Sequence, residues 1–503
     1  MKKIWVPLFI LVLLLPSVFW LFHFGFFQTD DGEWMIIRSS AFFQAFREGQ
    51  FPVRFLSRLN FGYGYPVPNF LYPGFLYLSI PIHILGFSFV NTIKIIFGAS
   101  LISSFIFSYL WLRQLFGKQA SFVGAFFYLY TPYHLYDVYT RGSVGEILAL
   151  AIVPFILWQY ERKSFLFSTL GISFLILSHN TLALFFLPLI FAYVLIRKNI
   201  SILKLLLSAV LGIFLSSFFI IPAVLELSYT AFFKTEISDP AKYFSSIFLI
   251  GISTFVVLIF SLIQFKKQKT IPFLFILVLL TSIIFSSSLS SLFWKAVPTS
   301  FVQFPFRLLS LGMLAVSFLA ANLIDNIKKQ KFLISSILVV LLFASAFSYL
   351  TPVSFFNKDE SLYTTNEATT TVQDEYMPKW VIEKPIRHYK AKVEVVRGKG
   401  EIDNVLFKES YINFVSKMEE NGIVRVNTLY YPGWKATVNG KAAQINYNND
   451  KGVIELGLEK GESKVFLKFV ETPLRLFSDL ITVLSLVAVL IVSFGLWKKL
   501  KII

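Results

Sequence analysis

The chain has 503 residues, 56% hydrophobic, 18% aromatic and only 15% charged, with 59 Phe and no Cys. Soluble domains carry about 25% charged residues, so the composition excludes a water-soluble enzyme. The lack of Cys excludes disulfides, thiolate nucleophiles and Cys-ligated zinc or iron–sulfur clusters. The net charge of +17 is unevenly spread: residues 351–472 hold seventeen basic and seventeen acidic side chains, leaving twenty-nine basic against twelve acidic in the apolar remainder. There the basic residues gather at segment ends: Lys2-Lys3, Arg162-Lys163, Arg197-Lys198 with Lys204, Lys266-Lys267 with Lys269, Lys328-Lys329 with Lys331, and Lys498-Lys499 with Lys501. That is the positive-inside pattern of cytoplasmic loops and not one basic face, so no nucleic-acid partner is expected. The chain reads as a multi-pass α-helical protein of the plasma membrane.

The opening apolar run, Ile4 to Phe24, follows Lys2-Lys3 and shows no small-residue cleavage site. It is expected to stay as an anchor helix with a cytoplasmic N-terminus. Residues 25–70 then lie outside the cytoplasm, with a helix over 33–47 whose apolar stripe is Trp34, Ile37, Ala41, Ala45 and Phe46. Four apolar runs follow (70–88, 92–112, 119–133, 143–160), and an odd number of them must cross to reach the basic pair Arg162-Lys163. The run 70–88 carries Pro73 and Pro81 and is expected to be re-entrant or interfacial; the alternative keeps it as a span and breaks the charge rule elsewhere. Three hairpins come next, 165–178/180–196, 203–225/243–265 and 271–290/304–327, each beginning and ending at a basic cluster. In all, twelve to fourteen transmembrane helices are expected. No fixed-period repeat and no matched halves with paired broken helices are visible, which weighs against a secondary transporter.

Residues 351–472 lie between the apolar runs 332–350 and 473–497, whose far ends are basic, so this part is expected outside as well. Within it, 355–390 reads as a linker. From Val393 and Val395 to Val424 and Val426 the pattern has period two, and Asn439-Gly440 marks a tight hairpin because a type I′ turn needs positive φ at both central residues. The expected domains are therefore a transmembrane part over 1–350, an extracytoplasmic linker and β-sandwich over 351–472, and a last helix with a basic cytoplasmic tail over 473–503. In Tyr430-Tyr431-Pro432-Gly433-Trp434, Trp434 either stacks on a sugar ring or plugs the sandwich core.

Charged groups at the membrane's outer boundary are where chemistry is expected, since an unpaired charge there is costly. Asp30 and Asp31, just past the first helix, can hold a divalent cation (Mg²⁺ or Mn²⁺) or take a proton from a hydroxyl; otherwise they cap the following helix. The stretch 131–146 places His134, Asp137, Arg141 and Glu146 among four aromatic rings. Arg141 suits a phosphate, or pairs with Asp137 at i,i+4 spacing. His179 and Asn180 stand at a hairpin tip, where they bond a sugar hydroxyl or turn the chain. Arg307 enters an apolar helix from outside and either snorkels or holds a lipid phosphate. Five isolated His residues argue against zinc.

The runs Gly49-Gln-Phe-Pro-Val-Arg54, Gly62-Tyr-Gly-Tyr-Pro66 and Leu71-Tyr-Pro73, with Leu177-Ser-His-Asn180 and Gln303-Phe-Pro-Phe-Arg307, resemble the bacterial membrane-protein family labelled pyruvoyl-tetrahydropterin-synthase-related. Tyr431-Pro-Gly-Trp434 resembles the closing domain of the related YfhO-type proteins. Both groups are similar to the GT-C glycosyltransferase superfamily. That resemblance implies a GT-C-like helical membrane fold, a sugar donor linked to polyprenyl phosphate, and an acidic motif in the first outer loop, which Asp30 and Asp31 match in place though not as a clear DxD. His179, Asn180 and Arg307 match family motifs to which the resemblance assigns no role. The chemistry of such a transfer, inverting and directed to an extracytoplasmic glycan, lipid or protein acceptor, needs a base, expected in Asp30 or Asp31, and cations on the phosphate, expected in Arg141 and Arg307, with His134, His179 and Asn180 as further substrate contacts. The other reading is a non-catalytic scaffold, or a flippase-like protein that handles glycan or lipid.

Overall fold

The computed structural model describes residues 12–237, 239–264, 270–297 and 302–501; Lys2-Lys3, Lys266-Lys267, Lys269 and the first residues of the opening run lie outside them. Among the described residues fifteen helices of nine or more residues carry the chain through its apolar part: α1 (Val12–Phe22), α2 (Gly32–Arg47), α3 (Gly74–Ile84), α4 (Phe89–Leu112), α5 (Lys118–Tyr130), α6 (Val144–Glu161), α7 (Phe165–Ser178), α8 (Asn180–Arg197), α9 (Ile202–Leu215), α10 (Ser217–Leu225), α11 (Ile252–Ile263), α12 (Thr270–Ser286), α13 (Leu309–Asn326), α14 (Lys331–Ala346) and α15 (Pro473–Lys501). Among the described residues six helices are long and apolar enough to cross a membrane, or up to eight if each of two bent pairs is one span, and four apolar helices are shorter. The protein is thus a multi-pass helical membrane protein with a C-terminal β region and a closing apolar helix. The eleven residues of α3 rise only about 16 Å, half the hydrocarbon thickness of about 30 Å.

Polar residues at the ends of apolar runs start the helices. The Ser88 and Ser201 hydroxyls accept from the N–H groups of Asn91 and Lys204, and so cap α4 and α9. The bundle is centred on α6 and α13, 78% and 83% of whose span residues are buried, whereas α14 and α15, at 22% and 17%, stand at its edge. The run expected as one helix over 203–225 is broken at Ser216, where α9 and α10 meet at a 71° bend. The break stays satisfied because Thr482 on α15 accepts from the Phe218 N–H at 2.9 Å and Arg54 donates to the Phe218 carbonyl at 2.6 Å.

The strand pair β1 (Phe26–Phe27) and β2 (Phe355–Phe356) is antiparallel and ties the exit of α1 to the exit of α14. Eight further strands follow: β3 (Val393–Arg397), β4 (Gly400–Phe407), β5 (Tyr411–Met418), β6 (Gly422–Leu429), β7 (Trp434–Val438), β8 (Lys441–Ala443), β9 (Val453–Leu458) and β10 (Gly461–Phe469). They form a five-stranded sheet, β4-β5-β10-β7-β8, and a three-stranded sheet, β3-β6-β9, all antiparallel. Asn439 and Gly440 have φ of 51° and 77°, as a type I′ turn requires. Trp434 is the core plug of the two readings: it is 4% exposed and packs edge-on against Phe55 and Phe469.

Buried charge pairs clamp the β region to the bundle. Arg475 at the start of α15 makes a two-pronged bond to Glu226, 2.8 Å on each arm, and the Tyr431 hydroxyl donates to the same carboxylate at 2.9 Å. Gly433 follows at φ +123°, and a Cβ there would meet the Val470 carbonyl at 2.7 Å. The Tyr-Pro-Gly-Trp motif therefore joins the β region to the helix end beside Glu226. Tyr431→Phe removes one bond to a buried carboxylate and is expected to cost about 1.5–3 kcal/mol, seen as a lower Tm in detergent. On the first long loop, Arg54 pairs with Glu471 and Asp479, both at 3.1 Å.

A second clamp is pH-dependent. Lys392 donates to the carbonyls of Gly62 and Asn427 at 2.9 and 3.0 Å, and Glu409 accepts from the Ser57 N–H at 2.7 Å. Burial pushes Lys392 down to about 7, and burial pushes Glu409 up to about 7 despite the Ser57 N–H. Glu409 thus keeps its proton in the folded protein to a higher pH than in the unfolded chain, where it titrates near 4.5. The stability this contributes is full below that lower value and is lost as pH rises through about 7. Glu409→Gln, which has no such dependence, is expected to gain roughly 2–3 kcal/mol over the unsubstituted chain between pH 4.5 and 7.5. Tm measured in parallel across that range checks it; a pH-independent difference contradicts it.

Candidate functional site

One cavity of about 490 Å³ opens where α2, α8, α10 and the segment before α13 converge. Asp31, Arg38, Arg141, His179, Asn180 and Arg307 give it a polar wall; Phe70, Leu184, Ile220, Val224, Leu227 and Phe232 give it an apolar one. Leu184 and Val224 line it while also being 58% and 62% exposed on the flank of the bundle. The cavity is therefore continuous with the surface that α8 and α10 present outward.

Asp31 reaches it because it does not cap its helix. It occupies the N-cap position of α2 but makes no side-chain cap bond; the Thr29 hydroxyl accepts from the Gly32 N–H at 3.0 Å instead. The loop 29–31 is pinned to the segment before α6, with the N–H groups of Asp30 and Asp31 donating to the carbonyls of Thr140 and Arg141 at 3.0 and 2.8 Å. Gly142 permits this approach: it has φ +68°, and a Cβ there would stand 2.5 Å from the Thr29 hydroxyl. The Asp31 carboxylate then lies 4.0 Å from Arg141, and its side chain is 31% exposed. Asp30 is exposed and is not part of the lining. Partial desolvation, then the charge of Asp31, raises its pKa against the pull of Arg141.

Residues 137–141 form one π-helical turn, a wide turn that sits often at functional sites. It brings Arg141 to 2.6 Å from Asp137, the i,i+4 pair, and to 2.6 Å from Glu146 at the start of α6. Glu146 is the hub: it also accepts from Arg307 at 2.9 Å and from the Tyr133 hydroxyl at 3.0 Å, with His179 Nε2 at 3.7 Å. Arg141 further lies over the rings of Phe304 and Phe306, and Arg307 over that of Phe304. Both guanidinium groups assigned from sequence to a phosphate are thus already neutralised by protein carboxylates.

His179 caps α8, its Nδ1 accepting from the Leu182 N–H at 3.3 Å, so this nitrogen is not available as a base. Its ring packs on Tyr72 at 4.5 Å. Asn180 donates to the Phe70 carbonyl at 3.4 Å, while its Oδ1 is buried without a partner, an acceptor suited to a sugar hydroxyl. His134 lies outside the cavity lining, fully buried, with Nδ1 turned back to the Tyr128 carbonyl at 3.2 Å. Sequence reasoning missed Arg38. It stands on α2 seven residues after Asp31, two helical turns or about 10 Å along the same face, and that spacing was its signal. It is 5% exposed and has no carboxylate within 4.0 Å among the described residues. Among the described residues no three acidic or His side chains gather, and the Asp31 carboxylate lies beside the Arg141 guanidinium.

No curated protein matches the chain in sequence. Three solved structures with similar folds are of the Archaeoglobus fulgidus oligosaccharyltransferase. AglB with an inhibitory peptide and a dolichol-phosphate is 12% identical over 73% of this chain and 56% of its own, with a TM-score of 0.45. The apo form is 12% identical over 70% and 56%, and the form tethered to an acceptor peptide 13% identical over 73% and 60%, both with a TM-score of 0.45. The chain thus spans a little over half the length of those proteins. A family model described as "6-pyruvoyl-tetrahydropterin synthase related domain; membrane protein" matches residues 74–353, more than half of the chain. The protein belongs to this 6-pyruvoyl-tetrahydropterin synthase related family of membrane proteins.

Proposed function

We propose that the protein is an inverting glycosyltransferase that moves a sugar from a polyprenyl-phosphate donor to a hydroxyl of an extracytoplasmic glycan, lipid or protein acceptor. The observation that carries this is the cavity itself. The Asp31 carboxylate, 4.0 Å from Arg141, lies on a buried arginine-rich wall, and the apolar wall opposite runs out to the membrane-facing flank at Leu184 and Val224. A phosphate headgroup suits the first wall and a prenyl tail the second. The basic clusters support an N-terminus in the cytoplasm with this end of the bundle outside.

In the reaction Asp31 takes the proton of the acceptor hydroxyl, whose oxygen forms the bond to the anomeric carbon. The bond from that carbon to the phosphate oxygen breaks, and its electron pair leaves with the lipid phosphate. Guanidinium groups stabilise the charge that develops there, and a dedicated acid is unnecessary because phosphate is already a good leaving group. Attack from the face opposite the phosphate inverts the centre. Arg141 holds Asp31 toward the cavity, and Asn180 Oδ1 supplies an acceptor for a sugar hydroxyl.

Deleting the gene and comparing cell-envelope glycans with those of the complemented parent tests the reading. Loss of one glycosyl substituent, restored by the unsubstituted gene and not by the Asp31→Asn form, is the expected result. An unchanged glycan profile contradicts it.

A further inference from the structure

Arg38 is a buried cation whose present partners are all neutral. Its Nε donates to the Thr370 hydroxyl at 2.9 Å, its Nη2 donates to the Thr370 carbonyl, and its Nη1 lies 3.4 Å from the Met35 sulfur. Arg141 and Arg307, on the same cavity wall, each have a carboxylate at hydrogen-bond distance. A guanidinium that lines a cavity and is served only by a hydroxyl, a carbonyl and a thioether exchanges such partners readily for an anion, because charge-assisted forked bonds are roughly twice as strong as neutral ones.

Two of these neutral partners, the Thr370 hydroxyl and carbonyl, come from a strap. Residues 369–376 cross the cavity, and Thr371, Val372, Glu375 and Tyr376 line it. One end is held firmly: the Tyr65 hydroxyl bonds Thr371 Oγ1 at 3.0 Å and accepts from the Tyr376 N–H at 3.1 Å, and the Tyr376 ring stacks on Phe70 at 5.2 Å. The other end is held by Arg38, through Thr370 at φ +63°. A β-branched residue disfavours that backbone conformation, so its surroundings must offset the strain. Part of that offset is the pair of bonds to Arg38; Thr369 is also held by Asp374, and Thr371 by Tyr65. Thr370 therefore presents two oxygens to the guanidinium fork in the way a phosphate does, in a conformation that relaxes when the fork is lost.

We propose that Arg38 is the anchor for the phosphate group of the cavity's ligand, and that Thr370 occupies this anchor until the phosphate replaces it, so that ligand binding releases the strap. The lipid tail of that ligand rests on the glycosyltransferase reading above; the phosphate contact does not. Arg38 is a binding residue and Thr370 a positioning one.

The chain lacks Cys, so Val372→Cys, at a position 76% exposed on the strap, gives a single reporter thiol. The full chain in nanodiscs is titrated with inorganic phosphate, a long-chain polyprenyl phosphate, and the free polyprenol, with the rate of maleimide labelling at 372 and the affinity as readouts. Labelling is expected to change with polyprenyl phosphate and not with polyprenol. The same change with inorganic phosphate shows that the headgroup suffices, whereas a response to the lipid phosphate alone shows that the tail is needed; both outcomes support the exchange at Arg38. Arg38→Gln and the conservative Arg38→Lys are expected to weaken polyprenyl phosphate binding about tenfold or more. Thr370→Val keeps Arg38 and the backbone carbonyl at 370 while deleting the competing hydroxyl, and is expected to bind about fivefold tighter. Unchanged affinity in both Arg38→Lys and Thr370→Val, or labelling indifferent to bound polyprenyl phosphate, overturns the proposal. Asp31→Asn separates the two readings: it is expected to bind polyprenyl phosphate normally and to transfer no sugar. If the unsubstituted chain transfers no sugar while the labelling response persists, the catalytic reading fails and the Arg38 exchange stands.

Discussion

Asp31→Asn is expected to lower sugar transfer by about 10²–10⁴-fold, the usual contribution of a positioned general base, with folding and membrane insertion intact. The two parts of that expectation have separate causes. Catalysis is lost because an amide cannot take the acceptor's proton. Folding survives because the Asp31 side chain makes no cap bond to α2; the Thr29 hydroxyl serves the free N–H of Gly32. The backbone contact of Asp31 to the Arg141 carbonyl is independent of the side chain. Asp30→Asn is expected to transfer sugar near the unsubstituted rate, since Asp30 is exposed and off the cavity wall. Membrane-fraction transfer assays of the two single variants and the double variant decide it: equal transfer by Asp31→Asn and the unsubstituted chain removes the base assignment, and loss in Asp30→Asn alone exchanges the roles.

Glu146→Ala is expected to be the most damaging single change to stability, about 3–5 kcal/mol. The carboxylate is fully buried at the start of α6, in one of the two most enclosed helices, and it neutralises Arg141 and Arg307 together while accepting from Tyr133. Its removal strands the Arg307 guanidinium in a low-dielectric interior and leaves Arg141 with Asp137 alone at hydrogen-bond distance; an unpaired buried charge costs far more than the pair contributed. The expected readout is a large fall in Tm and in monodisperse yield from detergent. Adding Arg307→Met to Glu146→Ala is expected to recover part of the loss, because one stranded charge goes with it; the coupling in such a cycle measures the network. A Glu146→Ala protein as stable as the unsubstituted chain contradicts the description of Glu146 as hub.

The hairpin expected at 165–178/180–196 matches α7 and α8 to within a residue, since unbroken apolar runs bounded by Arg162-Lys163 and Arg197-Lys198 leave the helix ends little freedom. The period-two strands and the Asn439-Gly440 turn were equally legible, being local. The break at Ser216 was not. Its local marks, Ser216-Ser217 and Pro222, are weak, and what stabilises it comes from Thr482 and Arg54, hundreds of residues away in sequence. At the site the same division holds. Asp31, Arg141, His179, Asn180 and Arg307 do share one cavity, as residue type and boundary position indicated. Their pairings were not readable, because Glu146 binds Arg307 across 161 positions. Arg38 was hidden in a helix read only for its apolar stripe, and Thr370 in a stretch read only as a linker. His134 shows the converse: a His among aromatic rings looked like a site residue, and the wide turn that follows it aims the ring at the chain's own carbonyl instead.

The most direct test is where a lipid phosphate sits. A polyprenyl phosphate carrying a photoreactive group in its prenyl tail, irradiated with the protein in nanodiscs and mapped by mass spectrometry, is expected to label the peptides 180–197 and 217–229 that form the apolar wall, saturably and in competition with unmodified polyprenyl phosphate. Saturable labelling confined to helices away from that wall, or none that unmodified polyprenyl phosphate displaces, would contradict a lipid-phosphate site facing Asp31.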